Sequence, residues 1–183
     1  MRFRVLAILV VAASLGIAGC GEKSDYVRVA ETEGTYVDVG NLVYQVQLSR
    51  YLNPADPEDR EYLVGVPPNE PAPTGEETWF GVWMRVKNYS DQAQQPTTNF
   101  VITDTENNKY YPIHLPETNP FAYNPPKLPA HQVYPFPDTA AASGPIQGSL
   151  ILFKLKIVST SNRPLILHIQ QPGQDEAIVD LDL

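Results

Sequence analysis

Cysteine is almost absent from this chain of 183 residues. It occurs once, as Cys20, which excludes a disulfide within the chain and any zinc site built from several thiolates. Histidine is nearly as scarce. His114, His131 and His168 are the only imidazoles, and none stands two or four residues from another, the spacings that put two rings on one face of a strand or helix. Two methionines, Met1 and Met84, are too few for a thioether copper site. The glycine-rich loops that cradle phosphates are missing, with neither a Walker A run nor a G-x-G-x-x-G. No serine sits in a G-x-S-x-G elbow. Positive charge is also short: 13 Lys and Arg against 21 Asp and Glu leave a net −8, a balance that repels nucleic acid and anionic headgroups. No cofactor, metal ligand or catalytic residue is assigned, and a non-enzymatic protein without a nucleic-acid partner is expected.

Long apolar runs are lacking beyond the first residues. Val5 to Ile17 forms one run behind Arg2 and Arg4. At about 1.5 Å per residue it falls short of the ~30 Å hydrocarbon core, so residues 1–19 read as a signal peptide and not as a membrane helix. The run ends in Ile17-Ala18-Gly19-Cys20, which resembles the lipobox of bacterial lipoproteins. That resemblance implies cleavage before Cys20, a diacylglyceryl group on its thiol, and anchoring to the extracytoplasmic face of the cell membrane. Loss of Arg2 and Arg4, with no acid, moves the net charge from −8 to −10. Residues 20–34 carry little apolar periodicity and read as a solvated tether, leaving residues 35–183 as one domain.

What the chain does have is proline, 18 residues spread along its length. Each removes a backbone donor and clashes one turn back, leaving few windows for an interior helix. Alternation then dominates. Leu42, Tyr44, Val46 and Leu48 alternate with Val43, Gln45, Gln47 and Ser49, and Phe80, Val82, Met84 and Val86 with Gly81, Trp83, Arg85 and Lys87, the period-2 mark of strands with one buried face. Further strands are expected at 36–39, 62–66, 100–103, 109–113, 133–136, 150–157, 165–170 and 177–183, enough short strands for an all-β sandwich. Glu106-Asn107-Asn108-Lys109 and Ser161-Asn162-Arg163-Pro164 are expected hairpin turns. Asp56-Pro57 reads as a cap and first residue of a helical turn, and Asp138 to Ala142 as a second.

Three stretches carry a further likeness: Val82-Trp83-Met84-Arg85-Val86-Lys87-Asn88; Phe100-Val101-Ile102-Thr103-Asp104 followed by Lys109-Tyr110-Tyr111; and Gly148-Ser149-Leu150-Ile151-Leu152-Phe153. Together they resemble the DUF4352 group of bacterial lipoproteins and secreted proteins. The resemblance covers residues 36–183 and implies an immunoglobulin-like, telokin-like sandwich, with no enzyme activity and no cofactor. The chain departs from the group in having Asn107-Asn108 and Ala130-His131 where glycine is usual.

Two regions are left as candidate sites. Asp56, Glu58, Asp59 and Glu61, with Glu70, Glu76 and Glu77 on the next loop, read as solvated acids, with an irregular calcium site as the alternative. His114 to Pro137 is the more distinctive. It sets Phe121, Tyr123, Tyr134 and Phe136 among seven prolines, and a loop this long is often functional. These aromatics either form a rigid recognition surface or cap the open end of the sandwich. His114 and His131 flank the loop and can meet if it folds back. The expected function is a lipid-anchored binding or structural module of the envelope, partnered by the membrane through Cys20 and by an envelope protein or ligand. The alternative is an accessory or sensor lipoprotein presenting a solute to a transporter or receptor, which an apolar cavity between the sheets would favour.

Overall fold

The computed structural model describes residues 27–181. The expected signal peptide, Cys20 and most of the tether lie outside the described residues, as do the last two positions of the strand expected at 177–183. Ten strands form two sheets. In chain order they are β1 (Val29–Ala30), β2 (Tyr36–Val39), β3 (Leu42–Leu52), β4 (Glu77–Asn88), β5 (Asn99–Thr103), β6 (Lys109–Tyr110), β7 (Val133–Tyr134), β8 (Ser149–Lys156), β9 (Leu165–Gln170) and β10 (Ala177–Leu181). Two short helices, α1 (Pro57–Tyr62) and α2 (Ala140–Ser143), lie in the connections. The fold is an all-β sandwich.

One sheet runs β1-β10-β9-β5-β6 and the other β2-β3-β4-β7. The far edge of β4 is shared, with β8 along residues 77–84 and β7 at Val86 and Lys87. Between the sheets lies the main core. Val82, Phe80, Met84 and Val86 of β4 meet Phe100, Ile102, Leu167, Ile169 and Val179 of the facing sheet there. Alternation delivers them, since side chains of a strand point to opposite faces at every second residue.

The alternation expected for β3 breaks at one point. The β3–β4 register shifts between Val46 and Leu48, a bulge that leaves Gln47 over and re-phases the rest of the strand. Tyr44 and Val46 point into the main core, but Leu48 joins a second apolar cluster on the opposite face. Leu48 therefore does not share a face with Leu42, Tyr44 and Val46.

That second cluster gives the sandwich a third layer. Trp79 and Trp83 of β4, Leu52 of β3, and Leu150 and Leu152 of β8 face away from the main core and are covered by Tyr62, Leu115 and Ala122. Trp83 is fully buried, so β4 is sealed on both faces and not on one. Gly81 makes room: a Cβ there would lie 2.8 Å from the Trp83 ring and 2.9 Å from Leu150.

The covering layer corrects the strand expected at 62–66. Asp56 caps α1 through its carboxylate, accepting from the Glu58 and Asp59 amides at 2.9 and 3.2 Å, and Pro57 takes the first turn. The helix carries Tyr62 onto the Trp83 indole, the ring centroids 5.1 Å apart and edge to face. Tyr62 ends α1 and Val66 lies beyond the turn that follows it, and both serve that layer, not a sheet.

Two further expectations change. The segment read as tether contributes β1, which pairs parallel to β10 at Val29↔Ile178 and Ala30↔Val179. Ser161 to Pro164 is not a hairpin turn, because β8 and β9 lie in different sheets and the chain crosses between them. The turn at Glu106 to Lys109 does join a hairpin, β5 to β6, with Asn107 at φ 63°. Asn is one of the few residues that adopt the left-handed region readily.

Candidate functional site

The proline-rich stretch is stitched to the sandwich at several points. Ile113 bridges Leu152, Ala122 bridges Leu150, and Leu128 bridges Gln94. Three asparagines hold the rest. The buried Asn88 amide donates to the carbonyls of Gln92, Leu128 and Pro129 at 2.8, 3.1 and 3.0 Å. Asn119 donates to Tyr62 and Val64 at 3.0 and 2.8 Å, and Asn124 to Leu115 at 3.0 Å. Proline supplies carbonyls but no N–H, so amide side chains satisfy acceptors that the backbone cannot. Asn88, the last residue of β4, is thereby spent on structure.

The four aromatics expected in this loop pack inward to different degrees. Tyr123 and Tyr134 are 8% and 9% exposed. With Phe100 and Phe136 they form an edge-to-face series, Phe100–Tyr123–Tyr134–Phe136, at centroid distances of 5.3, 5.8 and 5.8 Å. Phe121 turns to the other layer and packs on Tyr62 at 4.8 Å. Phe121 and Phe136 are half-buried. The Tyr123 hydroxyl donates to the Thr97 carbonyl at 3.1 Å, and the Thr97 amide donates to the Tyr44 hydroxyl at 2.9 Å. Burial pushes the Tyr123 phenol well up, with the neighbouring Tyr44 and Tyr134 adding to it. Burial likewise raises Tyr44, partly offset by the Thr97 amide. Both stay neutral in the physiological range.

Beside this series the loop leaves an open cleft of about 240 Å³. Phe100 and Tyr123 form one wall, Leu150 and Ile151 of β8 another, and Pro112 to Leu115 a third, with Thr98 at the rim. The cleft lies between β5 of one sheet and β8 of the other. Thr98 and His114 are exposed, and neither side chain is engaged within the described residues. The volume exceeds the ~150 Å³ that holds a benzene and is below the ~300 Å³ at which drug-sized sites begin. It takes one ring or one branched aliphatic group, with a hydroxyl and an imidazole at its mouth to meet a polar substituent. The bracket Pro112-Ile113-His114-Leu115-Pro116 was the available sequence signal for this wall. Thr98 carried none.

The three histidines do not converge. His131 bonds Asp91 at 2.9 Å on the surface, and His168 lies on the outer face of its sheet between Thr103 at 2.9 Å and Glu176 at 3.2 Å. Among the described residues no three His, Cys, Asp or Glu side chains come together as metal ligands. The acids are used singly. Asp59 pairs with Arg50 at 2.5 Å and accepts from the Asn53 amide at 2.7 Å. Burial alone would raise the Asp59 pKa, but the Arg50 and Asn53 bonds outweigh it and hold the carboxyl below its ordinary value. Arg50 in turn lies 5.4 Å from the Trp83 ring. Glu70 pairs with Lys154, and Glu77 accepts from Thr74.

No family model matches the chain, and no curated protein sequence matches it. Among solved structures it is similar to a β-sandwich protein from Clostridium difficile 630, at 12% identity over 88% of this chain and 99% of the other, with a TM-score of 0.48. It is similar to the yjhA protein from Bacillus subtilis at 9% identity over 83% and 99%, TM-score 0.47. A third similarity is to a functionally unknown protein from Listeria monocytogenes EGD-e, at 8% identity over 84% of each chain, TM-score 0.49.

Proposed function

We propose that the chain is a lipid-anchored, non-catalytic binding module of the bacterial cell envelope, tethered through Cys20 and related to the DUF4352 group. The observation that carries the binding role is the cleft at the β5–β8 edge, a site of mixed polar and apolar lining beside a loop that Asn88, Asn119 and Asn124 brace from behind. A site already formed loses little conformational entropy when it is filled. The relation to the group is supported by the backbone: Asn107 and His131 have φ of 63° and 59°, the left-handed geometry glycine serves, at or beside the positions where the group carries glycine. A second reading, a solute-presenting or sensor lipoprotein, is favoured by the same cleft because it lies between the sheets.

Anchoring is tested by Cys20→Ala, which abolishes fatty-acid labelling and membrane retention if the lipobox reading holds. Retention of a mature-size variant rejects it. Binding is tested with a photo-cross-linking residue at position 114 in the anchored protein, and a control at position 131. An adduct formed at 114 and lost when Thr98→Trp fills the cleft mouth supports the module. Equal labelling at both positions rejects it. Native mass spectrometry of the same protein separates the readings: a small molecule carried in the cleft favours solute presentation, a cross-linked envelope protein the binding module.

A further inference from the structure

The sandwich has two unlike edges, and the chain enters at the one away from the cleft. β1 and β2 are the edge strands of the two sheets on one side, and β6 and β8 meet on the other. Val27 ties the first edge together, since its amide donates to the Asp38 carboxylate at 2.8 Å and its carbonyl accepts from the Asp38 amide at 2.7 Å. Two residues on, Val29 pairs with β10. The N-terminal segment thus bridges both sheets. Beside the exposed Arg28 and Glu31 it presents apolar side chains: Val27 is 40% exposed, Val29 61%, and Tyr36, on the β2 edge, 54%. These are large apolar groups left uncovered where the chain arrives from Cys20.

We propose that this edge rests on the outer surface of the lipid bilayer and that the cleft therefore faces away from the membrane. The inference depends on anchoring through Cys20. Six residues lie between Cys20 and Val27, and over the seven steps, at about 3.4 Å each, an extended chain reaches no more than ~24 Å. Residues 27–30, otherwise counted as tether, are taken up by the sheets, so the domain cannot stand far off. A tethered surface is held at a high effective concentration beside its target, so a small apolar patch suffices to set orientation. Valine and tyrosine suit that role, tyrosine because its ring is apolar and its hydroxyl wet at headgroup level. Charge does not drive the contact. Arg28 is paired with Asp175 at 2.5 Å, and Glu31 beside the patch is exposed, so an anionic surface offers nothing extra. β1 and β5 are three strand spacings apart, about 14 Å at ~4.8 Å each, which lifts the cleft clear of the headgroups.

The test uses the mature lipidated chain in phosphatidylcholine vesicles. Cys20 is consumed by the lipid, so V29C or T98C takes a nitroxide label at that position alone. The label at 29 is expected to relax more with oxygen than with a water-soluble nickel chelate. The label at 98 is expected to show the reverse, and the contrast is expected to persist in 1 M salt by about the same margin, since screening does not weaken an apolar contact. Retained protein in which both labels are equally open to nickel overturns the seat while leaving the anchor in place. Protein that takes label at Cys20 and does not stay with the vesicles overturns the anchor and the seat together. A contrast that disappears in high salt overturns the apolar character of the contact.

Discussion

Asp104 shows how much one side chain can hold. Buried at the start of the β5–β6 turn, it accepts from the Glu106 and Asn108 amides at 3.0 Å each, from the Asn108 side chain at 2.8 Å and from the Tyr110 hydroxyl at 3.0 Å. Burial alone would raise its pKa, but these bonds together hold it below the ordinary 3.8. A carboxyl depressed in the folded state stabilises above its unfolded pKa and loses that contribution as pH falls through the folded one. Urea midpoints are therefore expected to be flat from neutral pH down to the region of 3.8 and to fall below it. Asp104→Ala is expected to cost about 3 kcal/mol at neutral pH, because buried donors lose their acceptor, and to flatten the acid limb. Gly81 makes the opposite case, where a group must be absent. Gly81→Ala places a methyl 2.8 Å from the Trp83 ring and is expected to cost about 1–3 kcal/mol by overpacking, read from the same melts.

The proline-rich loop behaves as a covering layer with a cleft in it. Its aromatics divide between two cores, Tyr123 and Tyr134 to the main one and Phe121 to the outer one. Tyr123→Ala is expected to destabilise by about 3–5 kcal/mol, the range for a buried aromatic, and the half-buried Phe121→Ala by less. A urea midpoint unchanged in the Tyr123 variant would show that its ring does not support the core. The β3 bulge is as decisive for the other face. Deleting Gln47 removes the extra residue: Val46 and Leu48 become neighbours on opposite faces, still across from Met84 and Trp83, so the ladder turns regular and every later β3 side chain keeps its face. The deletion variant is expected to keep cooperative unfolding; a variant that loses its sharp transition would show that the later β3 residues had changed face.

The molecule as a whole is stabilised by packing between three layers. No metal site is assigned and the sole cysteine lies before the described residues, so the melting midpoint of the domain is expected to be unmoved by EDTA and by reductant. A fall of several degrees with EDTA, restored by calcium, would identify the acidic loops as a site. The two edges give the molecule a polarity that neither sheet has alone, with the chain entering at β1–β2 and the cleft at β5–β8.

Local pattern alone determined the class of this protein. Proline frequency excluded long helices, alternation placed β2 and β9 to the residue, Asp56-Pro57 started α1, and Asn107 marked a hairpin. Each of these rests on chemistry within a few residues, which a sequence states directly. The tertiary structure decided what depends on distant partners. Leu48 changes face because of a bulge against β4, and Trp83 is buried by residues from α1 and the proline-rich loop. Val29 becomes a strand only because β10 offers an open edge. The cleft exists because Thr98, Ile113, Tyr123 and Leu150, from four separate stretches, meet between two sheets. Period-2 alternation gives two faces but does not say what will cover each one. That is settled by long-range packing, which buries apolar surface wherever the chain can reach it.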